Sequence, residues 1–297
     1  MNKPASQSAF LSTKRPYAVC VASFRSHPAA LLLWLACFIS VGLSAAPLKI
    51  YINTDLEGAS GVYKFEQTRM TNALNHEAME YLMGDIAAVV RGLRDGGATD
   101  ILVYDGHGSQ AFIPHLMEPG AKYATGRPKP EMWGVDKTYA GLVFVGFHAM
   151  MGTSNGVLNH TQSSRTENRY WYNGVESGEL AQVAAIAGYY GVPPIMVTGD
   201  EATCREARKF FGDACVTVPV KKGIGREAAV LYPFAETRQA LYKGAKRAMA
   251  AIPHCKPYRI ELPIKVRKQY LILSTNAEPK LMTKEGTIED ILHLLDF

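Results

Sequence analysis

Asp55 and Glu57 stand one residue apart in Asn53-Thr54-Asp55-Leu56-Glu57-Gly58, directly after the alternating apolar run at 48–52. Two histidines end later apolar runs in the same way. His107 lies in Asp105-Gly106-His107-Gly108 after the run at 101–104, and His148 follows the run at 141–147. Glu179 opens a stretch with helical patterning, and His160 sits in Asn159-His160-Thr161 within a polar segment. Carboxylates and imidazoles are the ordinary ligands of zinc and similar divalent ions. Two imidazoles and three carboxylates are too many for one tetrahedral site, but they suffice for two metals when one carboxylate bridges. Two metals about 3.5–4 Å apart can activate water and polarise a carbonyl.

Each residue also has an ordinary structural reading. Acids and glycines are common in turns, which covers Asp55 and Glu57. His107 fits a turn, His148 a satisfied core position, Glu179 the dipole of its helix, and His160 a loop. The joint pattern carries the argument. His115 and His254 stand beside prolines without such partners and read as structural.

Convergence of residues so far apart requires a scaffold, and the chain supplies the pattern of one. Strands are predicted at 48–54, 100–104, 141–147, 194–198 and 216–220. Helices are predicted at 74–95, 178–190, 202–211 and 225–251. Gly96-Gly97 closes the first helix, and Ser177 serves as N-cap of the second. The tail alternates at 259–262 and again near 270–273. Strands alternating with helices give an α/β fold, a mostly parallel sheet flanked by helices, with a smaller C-terminal α+β portion. The C-terminal ends of parallel strands share one edge, where Asp55, Glu57, His107 and His148 would meet. Tyr170-Trp171-Tyr172 is assigned to core or interface packing rather than to a pocket wall.

The chain has 297 residues, 47% of them apolar, enough for a sizeable core. Its first 46 residues hold Lys3, Lys14, Arg15 and Arg25 and no acid, so the net charge of +5 falls to +1 beyond them. No basic patch remains that would argue for nucleic acid. A basic stretch, an apolar run at 29–43 and the small residues Ser44-Ala45-Ala46 have the order of a secretory signal. The run is short for a membrane span. Residues 1–46 are therefore expected to be a signal peptide, with no membrane association after cleavage and a periplasmic or secreted protein as the product. Residues 47–297 form the expected catalytic domain, with the part from about 225 as a candidate subdomain. Cys204, Cys215 and Cys255 remain in the mature chain. A bridge between Cys204 and Cys215 and three unpaired thiols are both open.

The motifs Asp55-Leu56-Glu57-Gly58-x-Ser60-Gly61, Asp105-Gly106-His107, Gly146-Phe147-His148-Ala149, Asn159-His160, Gly178-Glu179-Leu180 and Gly188-Tyr189-Tyr190-Gly191-Val192-Pro193 resemble, in order and spacing, the zinc-dependent D-aminopeptidases of the DppA type, peptidase family M55. The resemblance covers about residues 48–222, and the tail after about 258 departs from it. It implies two Zn2+ per subunit. Asp55 would bridge them, Glu57 and His107 would complete one site, and His148 and Glu179 the other. His160 would be the catalytic side chain, shuttling a proton or stabilising an oxyanion. The substrate would be a short peptide with an N-terminal D-residue, and the protein would form a ring-shaped homo-oligomer, decameric in the best-known case. Two other readings stay open: a metal-dependent amidase or hydrolase of another substrate, and a non-catalytic metal- or peptide-binding protein.

Overall fold

The computed structural model describes residues 47–297 apart from 70, 109, 128–130 and 276. The expected leader at 1–46 lies outside the described residues. Residues 47–297 form one compact unit.

Five strands build the centre of a seven-stranded sheet: β1 (Lys49–Thr54), β2 (Asp100–Asp105), β4 (Tyr139–Phe147), β7 (Pro194–Asp200) and β8 (Val216–Gly225). Short β3 (Lys122–Ala124) lies at one edge and β9 (Ala228–Leu231) at the other, in the order β3-β2-β1-β4-β7-β8-β9. All neighbours run parallel except β9, which pairs antiparallel with β8. The flanking helices are α1 (Glu66–Arg69), α2 (Ala73–Asp95), α3 (Glu179–Tyr189), α4 (Glu201–Phe211) and α5 (Phe234–Ala251).

Both faces of the sheet are covered, which is why its strands read as apolar runs. On β1, Ile50 and Ile52 point to the face packed by Leu82, Ile86 and Val89 of α2 and Leu241 and Ala245 of α5. Tyr51 points to the other face, with Leu180 and Ala184 of α3 and Ala207 of α4. A second, antiparallel sheet has the order β11 (Lys280–Ile288), β10 (Ile264–Ile272), β5 (Arg169–Tyr172), β6 (Val175–Ser177). Its buried residues Tyr170, Tyr172, Ile264 and Val266 pack with Ala185 of α3.

The architecture is the expected one, with local differences. Ser177 is the last residue of β6 rather than a cap, and Gly178 precedes α3. A side chain at Gly178 would collide with Met150, since a Cβ there would lie 2.5 Å from that residue's Cβ. Residues 225–231 are not helical. β8 continues to Gly225 and turns back as β9, and α5 begins only after Pro233, whose missing N–H costs nothing at a helix start. The alternation near 270–273 falls at the end of β10, whereas 259–262 is not a strand; α5 packs on the large sheet and β10 and β11 enter the second one. The aromatic run Tyr170-Trp171-Tyr172 is strand β5, with both tyrosines buried. Cys204, Cys215 and Cys255 are all free thiols.

Candidate metal centre

Parallel register brings the ends of three central strands side by side. Thr54 of β1 lies opposite Asp105 of β2 and Val145 of β4. Asp55 N–H then donates to the Val145 carbonyl at 2.8 Å, and Gly106 N–H to the Thr54 carbonyl at 3.0 Å. Just beyond this point on the three strands come the candidate ligands Asp55, His107 and His148. Two glycines make this approach possible. A Cβ at Gly58 would sit 1.8 Å from the Phe147 carbonyl oxygen, and one at Gly146 would sit 2.2 Å from that of Asp55. Gly146 has φ +74°, and the β4–β7 register shifts between Phe144 and Phe147. The irregularity re-aims the chain so that the His148 side chain turns inward.

All six residues singled out in the sequence meet at this edge. His107 Nδ1 lies 2.9 Å from Asp55 Oδ1 and 3.0 Å from Glu57 Oε2. His148 Nε2 lies 3.2 Å from Asp55 Oδ2 and 3.5 Å from Glu179 Oε1. Asp55 thus turns one oxygen to each group. His160 stacks on His148 with ring centroids 3.9 Å apart, and its Nε2 is 3.9 Å from Glu179 Oε1. Ligand atoms each about 2.0–2.2 Å from one zinc ion lie roughly 3–3.5 Å apart in tetrahedral geometry. The observed separations have that size. Asp55, Glu57 and His148, and likewise His148, His160 and Glu179, offer atoms within 4.8 Å of one another.

The hydrogen bonds orient the rings. His107 Nε2 faces the Thr68 carbonyl at 3.0 Å, His148 Nδ1 the Ala149 carbonyl at 3.0 Å, and His160 Nδ1 the Leu158 carbonyl at 2.8 Å. A carbonyl only accepts, so each outer nitrogen carries a proton, and the inner nitrogens of His107 and His148 face the carboxylates across a gap that a proton or a metal ion can fill. Among the described residues, buried His148 Nε2 and Glu57 Oε2 have no hydrogen-bond partner. A divalent metal between the two groups would satisfy them, so the residues fit that occupant.

The ionisation preferences agree. Burial opposes a charge on His107 and His148, yet the carboxylates of Glu57 and Asp55 beside the first, and of Glu179 and Asp55 beside the second, hold both well above the ordinary imidazole value. Burial likewise opposes ionisation of Asp55 and Glu179. The facing imidazoles of His107 and His148 outweigh it at Asp55, and the charge of His148 does so at Glu179, which falls to about 2. His160 goes the other way. Burial and the neighbouring His148 lower it, so its imidazole stays neutral.

Several residues that the sequence reading passed over hold the site. Lys221 is fully buried and donates to the carbonyls of Glu57 at 2.6 Å, Ala59 at 2.9 Å and Val62 at 2.5 Å. Asp85 of α2 accepts from Ser60 N–H at 2.8 Å. Asp105 Oδ2 accepts from Ala111 N–H at 3.0 Å and Thr125 Oγ1 at 2.8 Å, closing the His107 turn. Asp200 Oδ2 takes Val157 N–H at 2.6 Å, and Arg226 in the β8–β9 turn donates to the Asn159 carbonyl at 3.2 Å, fixing the chain before and at His160. Gln162 N–H donates to Glu179 Oε1 at 2.5 Å. Asp105 lies in the Asp105-Gly106-His107 motif without a role assigned to it, and Lys221, Asp85 and Arg226 had no motif to mark them. Lys221 stands beside an exposed lysine in the same strand, and only strand parity separates the two.

The site opens into a cleft with two arms. One, about 300 Å3, runs past Arg69, Asn75 and Ser164. The other, about 370 Å3, runs past Glu131, Gln182 and Asp296. Asp55, Gly106 and Glu179 line both.

Comparison with known proteins places the chain in a family and a fold. The M55 peptidase family model, described as D-aminopeptidase, matches residues 48–278, further along the chain than the motifs alone reach. A D-aminopeptidase of Bacillus subtilis (strain 168) is 31% identical over 186 residues, covering 61% of this chain and 66% of that protein, just under two thirds of its length. A solved structure described as the Zn-dependent D-aminopeptidase DppA from Bacillus subtilis, a self-compartmentalizing protease, shares the fold with a TM-score of 0.75 at 22% identity, covering 84% of this chain and 94% of that one.

Proposed function

This chain belongs to peptidase family M55, the D-aminopeptidases, and from that premise we propose that it is a dinuclear zinc aminopeptidase that hydrolyses short peptides with an N-terminal D-residue, D-alanyl dipeptides and tripeptides among them. The observation that carries the reading is the division of ligands about Asp55, one oxygen beside His107 and the other beside His148. Asp55, Glu57 and His107 would hold one ion, and Asp55, His148 and Glu179 the other. Bound there, zinc acidifies water and polarises the scissile carbonyl.

The chain's own groups supply the rest. His160 is neutral, with Nδ1 committed to the Leu158 carbonyl and Nε2 directed toward Glu179. A neutral imidazole accepts a proton, so His160 takes one from the attacking water and returns it to the leaving amine. Gln162 N–H keeps Glu179 Oε1 in place, and Lys221 holds the Glu57 backbone. A cleft of a few hundred Å3 suits a short peptide.

The relative's dependence on zinc and its self-compartmentalizing assembly support extending both properties to this chain, as a ring-shaped homo-oligomer. The signal-like order of residues 1–46 supports action in the periplasm or outside the cell. The decisive variant is His160→Ala. We expect zinc content to stay at the wild-type level while peptide hydrolysis falls by about 100-fold or more. Full activity would remove His160 from the mechanism, and loss of a zinc ion would make it a ligand instead.

A further inference from the structure

Arg69, we propose, reads the free C-terminal carboxylate of the peptide, so that the cleft takes short peptides by both ends and in one direction. The inference rests on the peptidase reading above. Arg69 is exposed in the first arm of the cleft, which also contains Asp55, Glu57 and His160. Its guanidinium is held in place. Nε donates to Ser164 Oγ at 2.9 Å, Nη2 donates to the Ser164 carbonyl at 3.1 Å, and the plane lies 3.5 Å over the Phe65 ring. These partners are all neutral. Arg91, Arg169 and Arg226 pair with Glu118, Glu176 and Glu167, whereas among the described residues no carboxylate lies within 4.0 Å of Arg69. A planar fork fixed by neutral groups and facing a cleft is prepared for a bidentate carboxylate.

The surroundings favour an anion at this point. Arg226 stands 5.2 Å from the Phe65 ring. Burial and the charges of Arg226 and Arg165 disfavour the cation on Arg69, with Glu227 and Glu57 offsetting this only in part. The first arm's carboxylates, Asp55, Glu57 and Glu179, are all candidate metal ligands, whereas the second arm adds Glu131 and Asp296, with Arg127, that are not. An α-ammonium suits that arm and a carboxylate suits the first. Distance sets the length of the peptide. Phe65 is 6.2 Å from His160 between ring centroids, so the guanidinium lies no more than about 10 Å from that imidazole. An extended chain covers roughly 3.3–3.6 Å per residue, so only the one or two residues after the scissile bond fit between them. A long chain, or a blocked C-terminus, forfeits the contact.

The test compares D-Ala-D-Ala with its C-terminal amide on the zinc-loaded protein, with Arg69→Gln and Arg127→Gln as variants. A charge-assisted hydrogen bond corresponds to about 10- to 100-fold. The wild type should prefer the free acid by that factor in kcat/KM, chiefly through KM. Arg69→Gln should bring the ratio close to one, and Arg127→Gln should leave it standing. A preference that survives Arg69→Gln, or one that disappears with Arg127→Gln, overturns the assignment. Calorimetric binding of the same two peptides separates this proposal from the peptidase reading. If the wild type hydrolyses neither, the peptidase reading falls. Tighter binding of the acid that is lost in Arg69→Gln then still supports the carboxylate site, and equal binding of acid and amide by the wild type refutes it.

Discussion

Lys221→Met should be among the most destabilising single changes outside the ligands. The ammonium is fully buried and is shared by three carbonyls of the loop that carries Glu57. Methionine keeps the stem and removes the donors. A buried acceptor left unsatisfied costs about 1–3 kcal/mol, so the three carbonyls together lose about 6 kcal/mol. Against this stands the relief of a desolvated charge. Burial lowers the Lys221 pKa from 10.5 to about 8, which corresponds to about 3 kcal/mol. The net loss is about 3 kcal/mol. In a unit of this size that shifts Tm by roughly 6–12 °C. Urea unfolding of wild type, Lys221→Met and Lys221→Arg, with zinc content measured on each, tests the figure. The methionine variant should also bind zinc more weakly, because the Glu57 backbone is no longer held. A loss under about 1 kcal/mol with unchanged zinc binding would refute the view that Lys221 supports this loop.

Asp85 gives the opposite sign. Burial raises its pKa from 3.8 to about 6 despite the Ser60 N–H. The folded state therefore holds more protons than the unfolded chain between those values, and stability falls as pH rises through that window. Asp85→Asn should stabilise the protein by about 2–3 kcal/mol at pH 7 and by nothing below about pH 4, as read from urea midpoints at both pH values; a loss at pH 7 would show that the charge is needed. Zinc binding should release protons, since the metal replaces those that His107 and His148 hold above the ordinary imidazole value. Calorimetry in two buffers of different ionisation enthalpy should give net proton release at pH 7 and an affinity that rises with pH. Release near zero would mean that the histidines do not receive the metal.

The candidate site was legible in the sequence because its candidate ligands follow strands. Asp55, His107 and His148 each follow an apolar run, and parallel pairing leaves such residues no other place to go than one edge. Glu179 was legible as the first residue of a helix. The support was not legible, because it depends on long-range packing. Lys221 reaches a loop more than 150 positions earlier in the chain, and nothing local distinguishes it from Lys222. Arg69 reads as one more basic residue until Phe65 and Ser164 fix it. The second sheet was legible only as the strand content of a smaller C-terminal α+β portion, and its pairing with β5 was not, for a similar reason. Strand β5 lies inside a polar segment and finds its partner β10 about a hundred positions later. The turn after β8 was misread as helix because Ala228-Ala229-Val230-Leu231 has the composition of one, and Pro233 marks the true start.

The most direct test of the account is amino-acid release from D-Ala-D-Ala and from L-Ala-L-Ala by the zinc-loaded protein, each with and without a chelator, with bound zinc counted on the same sample. The account predicts two zinc ions per subunit and chelator-sensitive release from the D-peptide alone. Release from the L-peptide alone, or no release from either with both ions bound, would contradict it.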